Sequence, residues 1–116
     1  MYIYNEVIEV MNERFPLLKP IYTNSIDEYE GLPYIYFESV VYEYILNKIH
    51  KNEYEELKSI FKFVEDLLQQ GDEQVKNLIE VSIIENLYLE SDFEEINKII
   101  FEFYGTKTKV AFDNCN

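Results

Sequence analysis

Twenty-three carboxylates, 11 tyrosines, one histidine and one cysteine are the side chains with which this 116-residue chain could do acid–base, nucleophilic or metal chemistry. Most arrangements of them fail on spacing. His50 is the sole imidazole, so a Ser-His-Asp triad would have to use it, and no Gly-x-Ser-x-Gly elbow accompanies it. A di-iron helical bundle needs Glu-x-x-His repeats, but the residue three before His50 is Asn47. Cys115 stands alone, which leaves no internal disulfide or cysteine-based zinc cluster and suits a reducing compartment. Neither a Gly-rich phosphate loop nor calcium-loop spacing occurs. The adjacent acid pairs Glu55-Glu56 and Glu94-Glu95 point to different sides of a helix and read as solvated faces rather than acid–base pairs. Together these readings point to a non-enzymatic protein without metal or cofactor.

One constellation survives. Between Asp27 and Tyr44, "DEYEGLPYIYFESVVYEY" holds five tyrosines and five acids in 18 residues, and no Lys or Arg lies anywhere from Ile21 to Asn47. Tyrosine offers a large rigid contact area with a polar tip, and surrounding carboxylates select a basic partner. The candidate partner-binding residues are Asp27, Glu28, Tyr29, Glu30, Tyr34, Tyr36, Ser39, Glu43 and Asn47. In this reading Tyr36, Ser39, Glu43 and Asn47 share one helix face, opposite Phe37, Val41 and Ile45. Tyr36 is then a surface anchor. The competing expectation is half-buried packing in a chain simply rich in Tyr. A net charge of −13 supports a cationic partner, since such a surface repels nucleic acid and anionic lipid.

The elements that must position these groups read as helices. The chain is long enough for one domain and one core, and three Gly and three Pro argue against a loop-rich or all-β fold. The expected architecture is all-α: about five helices, with antiparallel hairpins stacked as a short solenoid or bundle. Residues 1–19 are an N-terminal helical region whose helix carries the stripe Ile3, Val7, Val10, Met11 and is stopped by Pro16 and Pro20. Residues 20–32 are an irregular connector in which Ser25 and Glu28 could cap one turn. A second helix opens at Pro33 and runs to about Lys51 with Phe37, Val41, Ile45 and Ile49 inward. Asn52 then serves as N-cap of a third helix, with Glu55 as box partner, ending at Gly71. Asp72 caps a fourth, a Ser91/Glu94 box opens a fifth closed by Gly105, and residues 105–116 form a tail or short packed extension.

The fourth helix contains "EVSIIENLYLES", apolar on nearly every side, and so reads as the buried centre of the domain. Ser82 and Asn86 fall on its core face and read as hydrogen-bonding glue between helices, while Glu85 points to solvent or a groove. No run of apolar residues reaches the roughly 18 needed to span a bilayer, and the N-terminus lacks a signal pattern; a soluble, cytoplasmic protein is expected.

The order "LPYIYFESVV" opening the second helix, "VEDLLQQGDEQVKNLIEVSIIENLY" across the hairpin and the "YGTKTK" ending resemble an uncharacterised family of small acidic helical bacterial proteins, over about residues 5 to 109. That family looks like the immunity proteins of polymorphic toxin systems. The resemblance implies a cytoplasmic inhibitor that binds a toxin; joined to the acidic, Tyr-rich patch, it gives the expectation that the patch covers the basic active-site cleft of a toxin domain, such as a nuclease. It carries no catalytic residues. The alternative is a regulatory or scaffolding module with no toxin partner.

Overall fold

The computed structural model describes residues 1–116 and is helical throughout. It contains eight helices rather than about five. A 3₁₀ turn, Tyr4–Glu6, leads into α1, Val7–Arg14; a second, Pro16–Leu18, leads into α2, Lys19–Asn24. Then come α3, Ile26–Tyr29; α4, residues 33–50; α5, Tyr54–Gln70; and α6, residues 73–88. Helix α7, Phe93–Ile100, runs on into a 3₁₀ turn, and α8, Thr106–Asp113, closes the fold. The extra helices come from the stretch expected to be irregular, which folds as α2 and α3, and from the C-terminal tail, which is α8. No helix is long and apolar enough to cross a membrane.

The buried centre is α5, not the helix expected. Leu57, Ile60, Phe61, Val64, Leu67 and Leu68 repeat at helical spacing and are buried, and Phe63 widens the stripe. With α4, α6 and α8 packed on it, α5 meets partners on several sides. Fully burying one such side chain contributes about 1.5–3 kcal/mol, so truncating Phe61 to Ala should cost roughly 3–5 kcal/mol. Helix α6 buries Val75, Ile79, Ile83 and Leu87 as expected but leaves Val81 39% exposed with Glu80 and Glu85 around it.

Two chain reversals use chemistry other than that expected. Asn52 has φ +55° and is the left-handed residue that ends α4 rather than the N-cap of α5. The Glu53 amide donates to the Lys48 carbonyl at 3.0 Å and the Asn52 amide to Ile49 at 3.1 Å, the paired bonds of a Schellman turn. Asparagine suits both an N-cap and a left-handed terminator, and here the second role wins. Ser91 likewise fails to cap: α7 begins after Asp92 with no side-chain cap bond. Ser25 precedes α3 without one either. Asp72 does cap α6, accepting from the Val75 amide at 2.8 Å. Its other oxygen accepts from the Tyr4 amide at 3.0 Å, pinning the N-terminal segment to the α5–α6 corner.

The α8 N-terminus is capped from across the molecule. The Glu65 carboxylate, buried on α5, accepts from the Thr108 amide at 2.9 Å, the Thr108 hydroxyl at 2.8 Å, the Lys107 amide at 3.0 Å and the Gln69 amide at 2.7 Å. Burial works against its ionisation, but these bonds outweigh burial and hold the carboxyl below its ordinary pKa. Gly105 is required for the approach, because a Cβ there would lie 2.3 Å from Glu65 Cδ.

Helices α4 and α6 each contain one π turn, at Phe37–Val41 and Glu80–Ile84, and the two turns pack against each other. In each, an amide donates five residues back: Tyr42 to Phe37 and Glu85 to Glu80. Just beyond them the Tyr42 hydroxyl lies 2.9 Å from the Asn86 carbonyl and within hydrogen-bond distance of Glu90, tying α4 to the end of α6. The Asn86 side chain donates to the Ser82 carbonyl at 2.8 Å within its own helix. Asn86 is therefore structural, though its side chain serves α6 itself and only its backbone reaches a neighbouring helix.

Candidate functional site

Helix α1 turns two faces to the protein. Val7 and Met11 enter the core, while Asn5, Ile8, Glu9, Asn12 and Glu13, three or four residues apart, form an adjacent strip. That strip is one wall of a cleft of about 580 Å³. Lys19, Tyr22, Thr23 and Ile26 from α2 and α3 form the facing wall, and Glu30, Gly31 and Pro33 close it where the chain turns into α4. The volume lies within the roughly 300–1,000 Å³ usual for ligand sites. Gly31 has φ +72°, a left-handed conformation that lets the chain reverse there.

Asn12 lines the cleft, and Tyr36 is buried behind it without reaching the cleft surface. Tyr36 is 0% exposed; its hydroxyl donates to Asn12 Oδ1 at 2.6 Å and lies 3.3 Å from the Leu18 carbonyl. Tyr22 and Tyr29 pack against its ring with centroids 5.3 Å away. Burial pushes the phenol up to about 12, with the Asn12 hydrogen bond opposing. The expectation of Tyr36 as a surface anchor is thus wrong. Considered alone, α4 presents Tyr36 on the side away from Phe37, Val41 and Ile45. The connector, folded as α2 and α3, lays Tyr22 and Tyr29 over that side and buries it.

The other expected site residues divide. Glu30 joins the cleft, opposite Glu9 and Glu13. Asp27 and Glu28 are exposed on α3. Tyr29 is half-buried against Tyr36; Tyr34 is half-buried too, and its hydroxyl accepts from the Asn77 amide at 2.7 Å. Ser39, Glu43 and Asn47 are exposed along α4. At a rise of about 1.5 Å per residue, Asn47 lies about 20 Å down the helix from the cleft end, so the set does not converge on one point. Glu9, Asn12, Glu13 and Lys19 were missed. Asn12 carried a signal, since it directly follows Met11 at the edge of the apolar stripe.

Neither reactive singleton, His50 or Cys115, lines this cleft. His50 Nε2 is 3.8 Å from Asp92 Oδ2 with both side chains at least half exposed. The Cys115 thiol is pushed up by burial and by the nearby Glu85 and Glu80 charges, which leaves it protonated and poorly nucleophilic.

No curated protein and no solved structure matches this chain. Residues 8–116 match a domain of unknown function, DUF7674, and the chain belongs to that family.

Proposed function

We propose that the protein acts by binding a cationic protein partner, with the acid-lined cleft and the neighbouring surface of α3 and α4 as the contact face. The observation that carries this reading is the placement of charge. Glu9, Glu13 and Glu30 meet in one hollow against the single base Lys19. Beside it Asp27, Glu28, Glu38 and Glu43 stand exposed in a window without Lys or Arg. Leu17, Ile21, Ile26, Leu32 and Ile35, all from residues 17–35, are 40–67% exposed, which supplies apolar contact area in the same stretch of chain. Apolar contact ringed by charge is the usual anatomy of a protein interface, and complementary charge speeds encounter.

In its narrower form the proposal is an immunity protein of the cytoplasm that neutralises a toxin by covering a basic active-site cleft, such as that of a nuclease. The acidic surface supports this form, as does the resemblance carried by "LPYIYFESVV" and "YGTKTK". The test is to look for a toxin domain encoded beside this gene and to co-express the two. Restored growth together with an isolable complex is expected, and loss of both when Glu30 is reversed to Lys. A regulatory or scaffolding module would instead purify with another acid-seeking partner and leave toxicity unchanged, which would overturn the toxin-specific form. Failure to bind any basic protein would overturn the binding reading itself.

A further inference from the structure

The cleft floor holds a donor with nothing to bond. Asn12 is 6% exposed and its oxygen is taken by Tyr36. Its amide nitrogen has no acceptor in the protein, yet no fully enclosed side-chain nitrogen or oxygen lacks a partner. The nitrogen therefore opens on the cleft that Asn12 lines. The amide's orientation follows from Tyr36. The phenol has one proton, and its short 2.6 Å contact is to Asn12 rather than to the Leu18 carbonyl at 3.3 Å, so Asn12 presents oxygen to the phenol and N–H to the cleft.

A fixed N–H that opens on the cleft from a buried side chain, with no acceptor in the protein, suits a ligand oxygen. Around it stand Glu9 and Glu13 on α1 and Glu30 on the facing side, and with Lys19 on the wall they leave a surplus of two negative charges. An acceptor and a cation are thus wanted close together, since Glu13 adjoins Asn12 and Glu9 lies three residues, a rise of about 4.5 Å, before it on α1. A peptide arginine or lysine offers that pair: its own carbonyl and, at the end of an aliphatic stem, its charge. Ile8 and Ile26 supply apolar wall for the stem.

We infer that the cleft is a receptor for one basic residue, arginine or lysine, of an extended segment of the partner protein. The residue's main-chain carbonyl accepts from the Asn12 amide and its cation sits among Glu9, Glu13 and Glu30. Tyr36 is a positioning residue that fixes Asn12. This rests on the binding reading above and names what the cleft takes.

The test is nuclear magnetic resonance on the full, ¹⁵N-labelled chain, titrated with acetyl-Gly-Arg-Gly-amide and with the same peptide carrying neutral citrulline. Saturable shifts of the Asn12 side-chain NH₂ and of the amides of residues 8–13 are expected with the arginine peptide. The citrulline peptide and the doubly substituted Glu9→Gln, Glu13→Gln chain should each bind about tenfold more weakly. Both acids are exposed, so this variant keeps the fold, and Glu94→Gln on the distant helix α7, also exposed, should leave binding unchanged. Equal binding of citrulline overturns the charge selection. Shifts confined to α3 and the outer face of α4 overturn the cleft while leaving the broader acidic face standing. An absence of shifts at millimolar peptide, in a chain that still forms a complex with a basic protein, overturns the cleft alone.

Discussion

Replacing Glu65 by Gln tests whether α8 is held by a cap supplied from α5. Glutamine keeps one oxygen but turns an NH₂ toward donors, so at least one of the Lys107 amide, the Thr108 amide and the Thr108 hydroxyl loses its acceptor. A buried donor left unpaired costs about 1–3 kcal/mol, and removing a negative charge from a helix N-terminus adds about 0.3–1 kcal/mol. A loss of about 3 kcal/mol is expected at pH 7, which for a domain of this size lowers Tm by roughly 10 °C. The pH dependence separates this cause from generic damage. The carboxyl is held below its ordinary value of 4.5 in the folded state, so the unfolded chain takes up the proton first. The contribution of Glu65 is therefore complete above pH 4.5 and is lost as pH falls through the depressed folded value. Asp72 is lowered in the same direction and is common to both proteins, so the informative quantity is the difference between them. Thermal unfolding followed by circular dichroism should show a gap between parent and variant that is constant from pH 7 to about 5 and narrows in acid. A variant within 1 °C of the parent, or two curves parallel down to pH 3, refutes the carboxylate cap.

Three further perturbations follow from the same contacts. Gly105→Ala should unfold at lower denaturant than the parent by an amount comparable to Glu65→Gln, and the double variant should cost little more than either, because the added Cβ displaces the same carboxylate. Asn86→Leu removes the bond to the Ser82 carbonyl and should cost about 0.5–1.5 kcal/mol in urea unfolding while leaving complex formation intact; equal stability with lost binding would place Asn86 in the interface. In stopped-flow association with the partner, reversing Glu30 to Lys should slow the on-rate most at low salt. Reversing Glu94 and Glu95 should slow it less, and an equal effect would mean that bulk acidity alone matters.

Much of the fold is legible because its causes are local. Pro33, Gly71 and Asp72 set chain direction through groups within a few residues, and the stripes of α4 and α5 repeat at a period the sequence displays. The α8 cap is different: Glu65 looks like any solvated acid on a 17-residue helix until residues 105–108 arrive from 42 positions away. Nothing near "YGTKTK" advertises its cap, so the segment reads as a tail.

The site was half legible for the same reason. Charge is additive along the chain, so the acidic window and Glu30 could be found without knowing the fold. Burial is not additive. Whether Tyr36 is a surface anchor or a core residue depends on whether residues 19–29 fold over it, and their helices are too short for a periodic signal: α2 has six residues and α3 four. Once that cover is in place, the Tyr-rich stretch changes meaning. Tyr22, Tyr29 and Tyr36 become a packed cluster whose output is the fixed orientation of Asn12, and the proposed contact surface extends from the exposed residues of α3 and α4 to the cleft between α1 and α2–α3.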